Sequence, residues 1–124
     1  MEVEENFVIQ SIGAEHTFER DTGNWSAIDK QLIALTHSVH SRLAEAKMTY
    51  RTVVLKIRFK GFETYTRTKS LRFSTMKEGT IIEIISELCA EFKSNPKEVR
   101  LIGVRLSGLE SKPTSTIDTF ISRN

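Results

Sequence analysis

RTVVLKIRFKGFETYTRTKSL, residues 51–71, reads as a β-hairpin. In its first arm Val53, Leu55, Ile57 and Phe59 take one side while Lys56, Arg58 and Lys60 take the other, the period of two that marks a half-buried strand. Gly61 and its neighbours supply a short turn. A second strand over 63–73 puts Thr64, Thr66, Thr68 and Ser70 in one row and Tyr65, Leu71 and Phe73 in the opposite row. Arg67 and Lys69 share the inner parity, so either a bulge re-aims them or they lie beyond the cover of the helices. The hairpin is amphipathic, and its outer row is cationic and hydroxylated.

Upstream, Ile12, Ala14, His16 and Phe18 alternate with Ser11, Gly13, Glu15 and Thr17, which predicts a first strand closed by Asp21, Gly23 and Asn24. Trp25, Ile28, Leu32, Leu35, Val39, Leu43 and Ala46 then recur three or four apart, the stripe of a helix over 25–46. Downstream, Thr80 with Glu83 fits a capping box, and Ile81, Ile84, Ile85, Leu88 and Phe92 form the stripe of a second helix, stopped by Asn95 and Pro96. Over 98–109, Ile102, Val104 and Leu106 alternate with Leu101, Gly103, Arg105 and Ser107, which predicts the last strand. The order βαββαβ predicts an α+β fold: a four-stranded, mostly antiparallel sheet with two helices on one face.

The 124 residues carry 18 Lys plus Arg against 16 Asp plus Glu, the size and composition of one compact domain. No run of 18 apolar residues exists, and the opening MEVEENFVIQ is acidic where a signal peptide is basic. The lone Cys89 cannot close an internal disulfide. These features predict a soluble, monomeric protein of a reducing compartment, with no membrane partner. Charge is uneven along the chain: residues 1–30 hold two basic and seven acidic side chains (net −5), whereas 51–72 hold seven basic ones against Glu63 (net +6). Such a block attracts phosphates, so a polyanion is the first partner to consider.

The outward parity of every strand assembles one open face: Ser11, Gly13 and Thr17; Lys56, Arg58 and Lys60; Thr64, Thr66 and Thr68; Gly103, Arg105 and Ser107. Hydroxyls and exposed amides donate to phosphate oxygens, glycine admits close approach, and Lys and Arg replace condensed counterions. The face offers no aromatic platform on which splayed bases could stack, which favours duplex backbone over single-strand readout.

SIGAEHTF (11–18), RTVVLKIRFKGFETYTRTKSL (51–71) and RLIGVRLSGL (100–109) together resemble the little-finger domain of Y-family DNA polymerases, closest to the DNA polymerase IV branch, through roughly residues 8–110. The resemblance implies the same βαββαβ fold and a role in gripping template-primer duplex during translesion synthesis. It implies backbone contacts from Ser11, Gly13 and Thr17, from Thr66, Arg67 and Lys69, and from Arg100 and Arg105, so that Arg67, Lys69 and Arg100 join the residues chosen by parity. Gln10 and Ala14 depart from the pattern, standing where relatives often carry basic residues. The resemblance covers no palm, fingers or thumb, and no paired carboxylates are present to clamp two metal ions. The chain therefore reads as a C-terminal portion of a polymerase, acting on the chromosome in the cytoplasm. It has no catalytic residue, metal site or cofactor of its own, whereas the parent enzyme would use Mg2+. Residues 1–9 read as a linker from the catalytic core, 10–110 as the little finger, and 111–124 as a flexible tail. In that tail Ile117, Phe120 and Ile121 resemble a sliding-clamp-binding peptide, with Thr114 where such peptides usually carry Gln.

Other signals read as structure. His37 and His40 fit a solvated helix face, His16 a packed histidine, and Cys89 an inert core thiol. An acylphosphatase-like hydrolase on a similar scaffold needs a phosphate cradle after the first strand, and Arg20-Asp21-Thr22-Gly23-Asn24 is a poor one. A protein-interaction module using the sheet edge is a third reading, but it leaves the basic block unexplained.

Overall fold

The computed structural model describes residues 10–61 and 63–111. The expected linker over 1–9 and the clamp peptide over 114–121 lie outside the described residues. Five strands and two helices follow in the order β1 (Ser11–Thr22), α1 (Trp25–Glu45), β2 (Met48–Phe59), β3 (Thr64–Thr75), α2 (Glu78–Cys89), β4 (Val99–Ser107) and β5 (Glu110–Ser111). The sheet order is β1-β4-β2-β3 and each pairing is antiparallel. The chain's last long strand thus fills the gap between its first and second. The two-residue β5, absent from the sequence reading, extends the sheet by pairing with Met48 and Thr49 at the start of β2.

Each helix starts for a different reason. At α1 the Asn24 side chain accepts from the backbone amides of Ser26 (3.0 Å) and Ala27 (3.2 Å), satisfying two of the donors that a helix N-terminus leaves open. Ile28, Leu32, Leu35, Val39 and Leu43 then bury one stripe against the sheet. The capping box expected at Thr80 and Glu83 does not form, because α2 begins earlier, at Glu78, and its N-cap residue Lys77 makes no side-chain cap bond. The chain is instead pinned from the sheet: the hydroxyl of the fully buried Tyr50 donates to the Lys77 carbonyl at 2.7 Å. After Cys89 a 3-10 turn, Ala90–Phe92, carries Phe92 into the core.

Val53, Leu55, Ile57 and Phe59 of β2 are all completely buried, as are Ile102 and Leu106 of β4, so the core lies between the helices and one face of the sheet. Deleting such a side chain costs about 2–5 kcal/mol. Phe73 departs from its expected inner parity. The pairing of β2 with β3 slips between Thr52↔Ser70 and Tyr50↔Thr75, and within this irregular stretch Phe73 is 77% exposed beside the Arg72 guanidinium.

Candidate nucleic-acid interface

The face away from the helices is built by register. Four cross-strand rows run β1, β4, β2, β3: Ser11, Ser107, Thr52, Ser70; then Gly13, Arg105, Val54, Thr68; then Glu15, Gly103, Lys56, Thr66; then Thr17, Leu101, Arg58, Thr64. Of the residues chosen from sequence, this brings together Ser11, Gly13, Thr17, Lys56, Arg58, Thr64, Thr66, Thr68, Gly103, Arg105 and Ser107. Leu101 is buried although it shares their parity. A shallow depression of about 300 Å³ lies over the middle rows, between Glu15, Lys56 and Thr66 on one side and Val54 and Arg105 on the other.

Arg67 and Lys69 do not join this face. They pair with Leu55 and Val53, whose side chains lie on the helix side, and no bulge interrupts β3 between Thr64 and Ser70. Beyond the helix cover they meet carboxylates instead. The Arg67 guanidinium makes a two-pronged bond to Glu91 at 2.9 and 3.1 Å, and Lys69 reaches Glu87 at 2.8 Å. The Arg67 bond holds the Glu91 carboxyl below the usual carboxylate range. Arg67 also lies over the rings of Tyr65 and Phe92. Arg100 sits where β4 bulges between Leu101 and Val99, and its Nε donates to Asp21 of β1 at 3.1 Å.

The partners divide the cations into two groups. Lys56, Arg67, Lys69 and Arg100 each face a carboxylate. Arg58 and Arg105 are held by neutral hydroxyls: Arg58 Nε donates to Thr64 at 3.0 Å and Arg105 Nη1 to Ser11 at 2.7 Å. Among the described residues no carboxylate pairs with either, so both present uncompensated charge on the open face. Gly13 makes room for this arrangement, since a Cβ there would stand 2.7 Å from Arg105 Cζ. The Arg42 side chain of α1 reaches round to donate to the Gly13 carbonyl.

Gly103, expected to let a phosphate come close, is buried and lies between Glu15 and Lys56 in its row. A Cβ on it would meet Glu15 Cγ at 3.1 Å and Lys56 Cβ at 3.5 Å, so the glycine leaves room for an ion pair that crosses over β4. Besides Thr52, Val54, Ser70 and Leu101, the face holds one charged residue not expected there, Glu15. Its odd number in β1, shared with Ser11, Gly13 and Thr17, was the available signal.

The remaining groups have structural partners. His37 and His40 are more than a solvated helix face, because His37 Nδ1 meets the Glu78 carboxylate at 3.1 Å and His40 Nε2 donates to the Met76 carbonyl at 2.8 Å, tying α1 to the start of α2. His16 packs edge-on to Phe18 at 4.8 Å. Burial pushes the Cys89 thiol up to about 12, far from a reactive thiolate. Among the described residues no group of three or more His, Cys, Asp or Glu could hold a metal ion. The hydrolase alternative also loses its cradle, because only Gly23 and Asn24 separate β1 from α1, and Asn24 itself occupies the amides at the helix start.

Comparison with known proteins decides the family. The sequence model of the impB/mucB/samB family C-terminal domain matches residues 9–119. The chain belongs to this family. It is 40% identical over 103 residues to DNA polymerase IV of Halorhodospira halophila, covering 83% of this chain and 29% of that protein. It is 40% identical over 115 residues to DNA polymerase IV of Methanoculleus marisnigri, covering 91% of this chain and 32% of that protein. The impB/mucB/samB domain thus spans about a third of the length of these relatives. Its fold is that of the Y-family little finger. A complex of the beta-clamp processivity factor and the little finger domain of PolIV superposes with TM-score 0.66 at 20% identity, over 84% of this chain and 93% of that one. A Dbh ternary complex superposes with TM-score 0.68 at 14% identity, over 78% of this chain and 28% of that one.

Proposed function

We propose that this domain grips the sugar-phosphate backbone of template-primer duplex DNA through its open sheet face, without sequence preference, as the little finger of a translesion polymerase of the DNA polymerase IV type. The observation that carries the reading is the pairing of Arg58 and Arg105 with Thr64 and Ser11 on a face of hydroxyls and glycines. A guanidinium held by a hydroxyl keeps its full charge and can exchange that neutral partner for a phosphate oxygen, while the hydroxyl becomes a second donor. The lack of aromatic side chains in the four rows supports backbone contact over base stacking. The domain contributes grip, and the Mg2+-dependent chemistry of the parent enzyme belongs outside these residues.

The test is binding of a labelled duplex across a range of salt. The logarithm of affinity should fall against the logarithm of salt with a slope of about −0.9 per phosphate contact. Arg58→Ala and Arg105→Ala should each make the slope shallower by about one contact. Absence of binding at low ionic strength, or binding indifferent to salt, overturns the reading.

The tail adds a tether. Ile117, Phe120 and Ile121 would plug an apolar pocket of a sliding clamp and raise the local concentration of the domain at the primer end. The solved complex of the beta-clamp processivity factor and the little finger domain of PolIV supports a clamp as partner. Titration of the clamp should give weaker binding for Ile117→Ala plus Phe120→Ala than for the intact chain. Equal binding by the two removes the tail from the interface.

A further inference from the structure

Glu15 is the single acid in the four open-face rows, and it stands on the edge strand β1 in the row between those of Arg105 and Arg58. Its carboxylate accepts from Lys56 Nζ at 2.9 Å, although β1 and β2 are not neighbours and β4 runs between them. Gly103, the residue of β4 beneath this pair, eases the crossing, since a Cβ there would stand 3.1 Å from Glu15 Cγ. Arg105 lies one row to one side and Arg58 one row to the other. Phosphates approaching this face therefore meet two uncompensated guanidinium groups flanking a lysine and a carboxylate that cancel one another's charge. Both members of the pair remain accessible, with side-chain exposures of 35% for Lys56 and 47% for Glu15. An ion pair this exposed contributes little to stability, so removing either member leaves the domain folded.

We infer that Glu15 is an electrostatic brake on duplex binding, a residue that keeps Lys56 off the phosphates and sets the grip loose enough for the domain to release and move along the backbone. The inference rests on the open face being the duplex-binding surface. Coulomb repulsion between the carboxylate and incoming phosphates lowers affinity directly. Sequestration of the ammonium removes one counterion-releasing contact.

Glu15→Gln keeps the shape and removes the charge. For the Gln variant, titration of a short fluorescein-labelled duplex followed by anisotropy should show binding about 3–10-fold tighter at low salt, with a log-log slope steeper by about 0.9 as Lys56 gains a phosphate. Dissociation measured by stopped-flow competition should slow in proportion. Lys56→Ala should weaken wild-type binding by about twofold or more, because it leaves the Glu15 carboxylate unpaired before the phosphates, and should cancel most of the gain in the Glu15→Gln background, and thermal melts of the three variants verify that each is folded. Unchanged affinity and slope in Glu15→Gln overturn the brake. Weaker binding overturns it too, and would make the carboxylate a direct acceptor, as from a cytosine amino group in the major groove. If Arg58→Ala and Arg105→Ala weaken binding while Glu15→Gln does nothing, the brake alone fails. If none of these variants alters binding, the open-face reading fails with it.

Discussion

Replacing Gly13 by Ala should separate the function of the open face from the stability of the fold. An alanine Cβ would lie 2.7 Å from Cζ and 2.8 Å from Nη2 of Arg105. Carbon atoms in contact rest at about 3.5–4.0 Å, so the guanidinium must move away by about 1 Å or swing off the sheet. What yields is the far end of a flexible, exposed side chain, and the displaced bond to Ser11 is worth about 0.5–1.5 kcal/mol at most. Against this loss, alanine in a strand recovers about 0.5–1 kcal/mol of the backbone entropy that glycine costs. The two nearly offset, so Tm should stay within a few degrees of wild type, since about 1 kcal/mol moves Tm by roughly 4–8 °C in a domain of this class. Duplex affinity should nevertheless fall by about fivefold, equivalent to ~1 kcal/mol, with a salt slope shallower by about 0.9. Differential scanning fluorimetry and anisotropy on the same preparation give both numbers. A variant that melts far below wild type refutes the reasoning. So does one that binds duplex normally when Arg105→Ala does not, because Arg105 would then not depend on the space over Gly13.

Two further outcomes follow from the core. Cys89 is buried and its thiol is pushed up to about 12, chiefly by desolvation and further by the Asp29 charge. The folded thiol keeps its proton where the unfolded one, near 8.5, has lost it, so stability is intact below that value and declines as pH rises from about 9 toward 12. Iodoacetamide at pH 8 should accordingly label the native chain far more slowly than the chain in denaturant; equal rates would contradict this burial. Tyr50→Phe leaves the Lys77 carbonyl without the 2.7 Å bond that pins the entry to α2 and should cost about 1–2 kcal/mol by urea denaturation; no loss would mean that water satisfies the carbonyl as well.

How much was legible in the sequence depends on the length scale of the interaction. Strand parity is local, so the alternation from Val53 to Phe59 and from Ile102 to Leu106 placed both faces of the two central strands correctly. The same alternation misplaced Phe73, because the bulge after Ser70 shifts every later side chain, and no residue in 70–75 announces it. The helix stripes were equally plain, but the start of α2 was not. A tyrosine hydroxyl 27 residues away in sequence pins it, and the local capping signal at Thr80 was a false one. In the site, position was readable and partnership was not. Arg58 and Lys56 look alike as outward cations, yet one meets a threonine within its own hairpin and the other a glutamate 41 residues away. Family resemblance added Arg67 and Lys69 to the face, while the register keeps them on the other side, bonded to Glu91 and Glu87.

The central claim, that the open sheet face is the surface that grips duplex, is tested most directly by mapping backbone and Arg side-chain NMR shifts as unlabelled duplex is added to the isotope-labelled chain. The account predicts that the largest changes fall on Ser11, Gly13, Lys56, Arg58, Thr66 and Arg105, and on the guanidinium signals of Arg58 and Arg105 above all. The outer surfaces of α1 and α2 should remain unmoved. Perturbations centred on Ile33 and Ile82 of the helices, with the guanidinium signals of Arg58 and Arg105 unchanged, would contradict it.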